Sequence, residues 1–128
     1  PCIVRYGEVE GPGGIKMVYK QPYEEDGEYY YSYGRKTKVK MYAGKFLENI
    51  VQFLARIVIM NAACRLYTKY GLRFVLQSHD ELVFCVPAYQ ADWAKQVLRY
   101  ELTQPPTWAR DIPLGCDVAS GESYGDAK

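Results

Sequence analysis

Three consecutive residues near the middle of the chain concentrate its capacity for chemistry: His79, Asp80 and Glu81. They lie in FVLQSHDELVFCVP, Phe74 to Pro87, between the apolar runs Phe74–Leu76 and Leu82–Val86. Two apolar runs around a short polar centre predict two buried strands joined by a tight bend. Adjacent side chains of a straight strand point to opposite faces, but a bend relaxes that rule. Two carboxylates about 4 Å apart repel by roughly 1–4 kcal/mol, depending on the effective dielectric. Buried flanking strands sharpen the repulsion unless a cation lies between the acids. Hard divalent cations such as Mg²⁺ favour oxygen ligands of this kind. The pattern therefore suggests a magnesium-binding hairpin tip. It also suits an ordinary polar turn, where Asp is common. A Ser78-His79-Asp80 hydrolase triad is discounted, because a triad is a convergence in space that contiguous residues rarely achieve.

Such a tip needs elements to hold it. Ahead of it, Lys45–Tyr70 carries apolar residues at Leu47, Ile50, Val51, Leu54 and Val58, and again at Phe46, Phe53, Ile57 and Met60. Together they cover most of a helix circumference and predict a largely buried helix, closed by Gly71. One stripe stays polar: Lys45, Asn49, Gln52 and Arg56 share a face. Unpaired buried polar groups cost about 1–3 kcal/mol each, so this stripe needs partners. The minor groove of a duplex offers acceptors in nearly equivalent places at every base pair. A solvated helix face is the alternative. After the hairpin, the stretch from Ala88 or Tyr89 to Leu102 has helical spacing with Trp93, Val97, Leu98 and Leu102 on its inner face, and Pro105-Pro106 ends it. Trp108–Pro113 reads as a loop and Leu114–Ala119 as a strand.

The first 41 residues read as β-rich. Cys2–Tyr6 and Ile15–Lys20 are expected to form a hairpin around a turn region, Glu8–Gly14. Gln21–Gly27 is polar and acidic, punctuated by Pro22 and Gly27. Glu28–Met41 reads mostly as strand, with Gly34 marking a bend or bulge. Lys36, Lys38 and Lys40 fall on one face. They suit phosphate contacts or, preferably, an edge strand blunted by lysine. Tyr29–Tyr31 could stack on bases, although sheet packing is the commoner use. The expected fold is α+β: one antiparallel sheet packed with the long helix and the shorter one. Residues 1–128 are expected to form a single domain, with 42–128 carrying helix, hairpin, helix and tail.

Net charge is +1, so any nucleic-acid surface must come from local arrangement rather than bulk charge. The four cysteines form no CxxC pair, and one histidine cannot complete a Cys/His zinc set. Cys64 and Cys85 read as small core residues, consistent with a reducing compartment. No signal peptide is evident. The most apolar segment is interrupted by Glu48, Arg56 and Arg65, which argues against a membrane span. The chain begins at Pro1 and reads as a fragment or a processed product.

HDELVF between apolar strands resembles motif C of the family A DNA polymerases. YAGKFLENIVQFLAR, Tyr42 to Arg56, is similar to the long palm helix preceding motif C in phage members. ASGESYGDAK, Ala119 to Lys128, is similar to the family's C-terminal tail. The three matches occur in order and cover Tyr42–Lys128. The resemblance implies DNA-directed nucleotidyl transfer by two Mg²⁺ ions, with Asp80 as a metal ligand and Glu81 supporting the metal or the primer end. It implies that His79 positions the primer terminus and that Gln52 contacts the template–primer. Asn49, offset by one position in the match, joins Lys45 and Arg56 as DNA-binding candidates. Ile57 stands where phage relatives often have an acid. Implied partners are primer–template DNA, deoxynucleoside triphosphates and the remaining polypeptide: thumb, fingers and the rest of the palm. No membrane partner is implied, and the implied setting is the cytoplasm of a bacterium or a phage-infected host. The family's second metal-binding aspartate and its fingers motif are not found in Pro1–Lys128. The isolated chain is therefore expected to be inactive, a palm segment of a split, fused or truncated polymerase. A single-subunit RNA polymerase has a similar hairpin, but there a small residue typically replaces Glu81. A non-catalytic duplex-binding module is a further alternative.

Overall fold

The computed structural model describes residues Pro1–Ala127 and has an α+β fold. Three small antiparallel sheets replace the one sheet expected, alongside two helices. The chain divides into two compact units, Pro1–Ala55 and a second from Arg56 onward.

In the first unit β1 (Ile3–Arg5), β2 (Glu8–Glu10) and β3 (Lys16–Val18) form a meander in that order. The segment expected as a turn thus contains its central strand. The strand is disguised by Glu8 and Glu10, which find cations on either side. Glu10 pairs with Arg5 at 2.5 Å and Glu8 with Lys16 at 3.0 Å. Val9 between them is fully buried. A second sheet holds β4 (Lys20–Glu25), β5 (Glu28–Tyr33) and β6 (Lys36–Met41). Here too a polar stretch, Gln21–Gly27, turns out to be mostly strand. Pro22 is tolerated because β4 is an edge, and Gln21 (φ 49°) lies where the register shifts. Asp26 and Gly27 both have positive φ, as a type I′ hairpin turn requires. Lys36–Lys40 forms the other edge. Lys38 pairs with Glu25 and Lys40 with Glu28, and Lys38 also lies 4.6 Å from the ring centre of Tyr30. Tyr30 stacks on Tyr23, and Tyr31 meets Tyr19 edge-on. These contacts match the preferred reading of lysine edge and sheet-packing tyrosine.

Helix α1 (Ala43–Tyr70) runs for 28 residues, and the boundary between the units falls within it. It stops at Gly71, whose φ of 69° admits the left-handed cap; its N–H donates to the Tyr67 carbonyl at 2.9 Å. The expectation of a largely buried helix fails. Its buried residues are Ile57, Ala62, Ala63 and Leu66, whereas Leu47 is 62% and Val51 58% exposed. Apolar residues all round a helix bury it only where other elements surround it, and the N-terminal half lacks such cover. Nor do its charges rule out a membrane span by composition. By length and composition the helix is long and apolar enough to cross one, and little of its apolar stretch is buried.

The second unit contains β7 (Phe74–Ser78), β8 (Glu81–Phe84) and α2 (Ala91–Leu102). β7 and β8 pair only with each other. The hairpin was expected to be buried, yet Val75 is 65% and Leu76 46% exposed while Leu82–Phe84 are half-buried, since no third strand joins the ribbon among the described residues. On α2 the buried positions are Ala94 and Glu101, with Val97 and Leu98 half-buried. Trp93, expected inside, is 43% exposed and touches Tyr70 edge-on. The segment Leu114–Ala119 forms no strand, having no partner to pair with among the described residues. Cys64 and Cys85 are exposed, against the expectation of core positions, and all four cysteines are free.

Glu101 is the one fully buried charge among the described residues. Its carboxylate accepts from Arg65 Nε at 2.7 Å, Lys69 Nζ at 3.0 Å and Tyr70 Oη at 3.2 Å, while Arg65 Nη2 donates to its carbonyl at 2.8 Å. Burial acts most strongly on its pKa and pushes it up. The hydrogen bonds from Arg65 and Lys69, the Lys69 charge and the Tyr70 bond together outweigh burial and hold the carboxyl below its ordinary range.

Candidate metal and nucleic-acid site

The hairpin register pairs Ser78 with Glu81, leaving His79 and Asp80 as a two-residue loop. His79 has φ 50° and Asp80 is not in the positive region, the sign pattern of a type II′ turn. Glycine is usual at that first position, although His enters the left-handed region more readily than most residues. The tight loop leaves all three side chains, His79, Asp80 and Glu81, exposed at the crest. Asp80 has no hydrogen bond or ion pair among the described residues. Just below the crest on β7, Gln77 Nε2 is buried without a partner among the described residues.

Glu81 opens β8, and its Oε2 accepts a hydrogen bond from Tyr124 Oη at 2.9 Å. Tyr124 belongs to a folded tail. The N–H groups of Asp126 and Ala127 both donate to the Ser123 carbonyl at 3.2 Å, and Ser123 Oγ donates to the Asp126 carboxylate. Gly121 allows this turn to close, because a Cβ there would lie 2.7 Å from the Asp126 backbone. The structure thus joins two of the stretches singled out in the sequence, the HDE crest and the tail. Sequence reasoning missed Tyr124 itself; the only signal was an aromatic residue inside the tail stretch.

The polar stripe on α1 has partners of its own. Lys45 Nζ pairs with Glu48 at 3.1 Å, and Gln52 Nε2 donates to the same carboxylate at 3.3 Å. Glu48, absent from the sequence-based stripe, therefore draws two of its members together. Asn49 Nδ2 donates to Tyr19 Oη at 3.1 Å, which ties helix to sheet within the first unit. Burial pushes the Tyr19 phenol up, and the Asn49 bond opposes it. Arg56, one turn beyond Gln52, is exposed and makes no ion pair among the described residues.

No cluster of three or more His, Cys, Asp or Glu side chains that could hold a metal occurs among the described residues. The crest instead offers two adjacent carboxylates, one of them without a partner among the described residues. That donor set fits Mg²⁺ in kind, since Mg²⁺ keeps several waters and is usually held by one or two carboxylates plus substrate phosphates.

With this geometry in view, one likeness stands out. The chain is similar to a phage DNA polymerase. Over 119 residues it is 30% identical to the DNA polymerase of Bacillus phage SP02. The alignment takes in 85% of this chain but spans only 18% of that polymerase. No protein-family model matches, and no solved structure matches.

Proposed function

We propose that the chain is the C-terminal palm segment of a phage-type family A DNA polymerase, contributing to template-directed nucleotidyl transfer in DNA replication. The observation that carries this reading is the hairpin crest, a two-residue loop that leaves Asp80 exposed beside Glu81 and without a partner among the described residues. The likeness to the SP02 polymerase supports it independently.

In this reading Asp80 is the metal ligand and Glu81 supports the metal or the primer end. Bound Mg²⁺ would offset the negative charge that builds on the transferring phosphoryl group. His79 holds the primer terminus. Gln52 donates to minor-groove acceptors, a grip that tolerates any sequence, while Lys45 and Arg56 meet backbone phosphates. Asn49 holds its helix to Tyr19 through one N–H and keeps its second N–H and its carbonyl oxygen for DNA. The partners are primed DNA, deoxynucleoside triphosphates and the rest of the polymerase. The uncovered apolar strand β7 agrees with a surface that the remaining polypeptide closes.

The test is reconstitution. The chain is mixed with the rest of an SP02-type polymerase supplied as a separate polypeptide, and primer extension is measured with Mg²⁺. Extension that needs the chain, and that Asp80→Ala abolishes while duplex binding persists, supports the proposal. Extension unaffected by Asp80→Ala refutes it.

A further inference from the structure

We propose that Tyr124 is a positioning residue that sets the orientation of the Glu81 carboxylate at the hairpin crest; the inference rests on the polymerase reading above. The two crest acids differ in their surroundings. Asp80 has no partner among the described residues, whereas Glu81 Oε2 is held by the Tyr124 hydroxyl at 2.9 Å. An exposed glutamate otherwise samples many rotamers, and ordering it costs entropy when a cation arrives. A hydroxyl bond to a carboxylate is charge-assisted and stronger than a neutral one, so it can select one rotamer beforehand. It occupies one of about four lone-pair sites and leaves Oε1 available.

The donor is itself held. The Ser123–Asp126 turn and the close approach at Gly121 fix the tail around Tyr124. The bond links residues 43 positions apart, so the tail acts on the crest through a long-range contact. The hydroxyl also lowers the electrostatic conflict between neighbouring carboxylates by drawing charge from one of them. The tail thereby becomes part of the site rather than an inert end.

Mn²⁺ serves as the probe, because its paramagnetism broadens the amide resonances of residues 79–81 when it binds the crest. The measurement uses the whole 128-residue chain and its variants. Loss of one hydrogen bond predicts about three- to tenfold weaker Mn²⁺ binding in Tyr124→Phe, with an unchanged melting temperature. The decisive readout is a double-mutant cycle. Tyr124→Phe should weaken binding in the parent chain but have little further effect in Glu81→Gln. Gly121→Ala, which displaces the turn without touching the crest, should reproduce the Tyr124→Phe loss. Wild-type affinity in Tyr124→Phe, or fully additive losses in the cycle, overturns the inference while leaving the metal role of Asp80 standing. Undiminished binding in Asp80→Asn overturns the polymerase reading, and this inference with it.

Discussion

Glu101 offers the sharpest test of how the second unit is held together. Replacing it with Gln preserves its volume but removes the charge that Arg65 and Lys69 both face. Breaking a buried pair by removing one partner costs about 3–5 kcal/mol. Two features reduce that figure here. The Lys69 side chain is 53% exposed and regains water, so its share falls toward the ~0–1 kcal/mol of a surface pair. Arg65 keeps its bond to the Glu101 carbonyl at 2.8 Å. What remains is a loss of about 2–3 kcal/mol, or about 10 °C in melting temperature for a chain of this size. Urea unfolding followed by tryptophan fluorescence measures it directly. The pH dependence supplies a second readout. The folded-state carboxyl lies below its ordinary value of 4.5, so the native state binds fewer protons than the unfolded chain. The stabilisation is fully present above that ordinary value and is lost as pH falls through the lower native one. The parent chain should therefore lose more stability than Glu101→Gln when taken from pH 6 to pH 3. A variant within 1 kcal/mol of the parent, or one with the same acid slope, refutes the reasoning.

Other substitutions address other links. Leu66 is fully buried, and Leu66→Ala should cost about 3–4 kcal/mol in the same urea experiment. His79→Gly should leave stability within about 1 kcal/mol of the parent, because relief of the positive φ offsets the greater freedom of the unfolded chain. His79→Val should lose about 1–2 kcal/mol, since a β-branched residue strains at that dihedral. Asp80→Asn should leave the melting temperature unchanged, its side chain having no partner to lose, while Mn²⁺ no longer broadens the crest resonances.

The parts of the fold legible in the sequence were those whose signals are local. The α1 periodicity, its Gly71 stop, the HDE loop between apolar runs and α2 all lie where their residues indicate. β2 and β4 were hidden because their polar residues answer to neighbours brought close by pairing: Glu8 to Lys16, Glu10 to Arg5, and Pro22 to an edge that needs no ladder donor there. Glu101 was hidden for the same reason, since only the packed fold gives a buried carboxylate its two cations. Burial misled in the opposite direction. Val75, Leu76, Leu47 and Val51 carry the apolar character of a core, but composition does not reveal whether anything covers them. At the crest, residue type indicated Asp80 and Glu81, while Tyr124 became visible only through a contact that spans much of the second unit.

The uncovered ribbon β7–β8 bears on how the protein must be handled. Its outer backbone groups and its Val75 and Leu76 side chains present a ready template for a strand from another molecule. Concentrated solutions of the chain alone should stick together through this edge. Dilute conditions should keep the molecules apart.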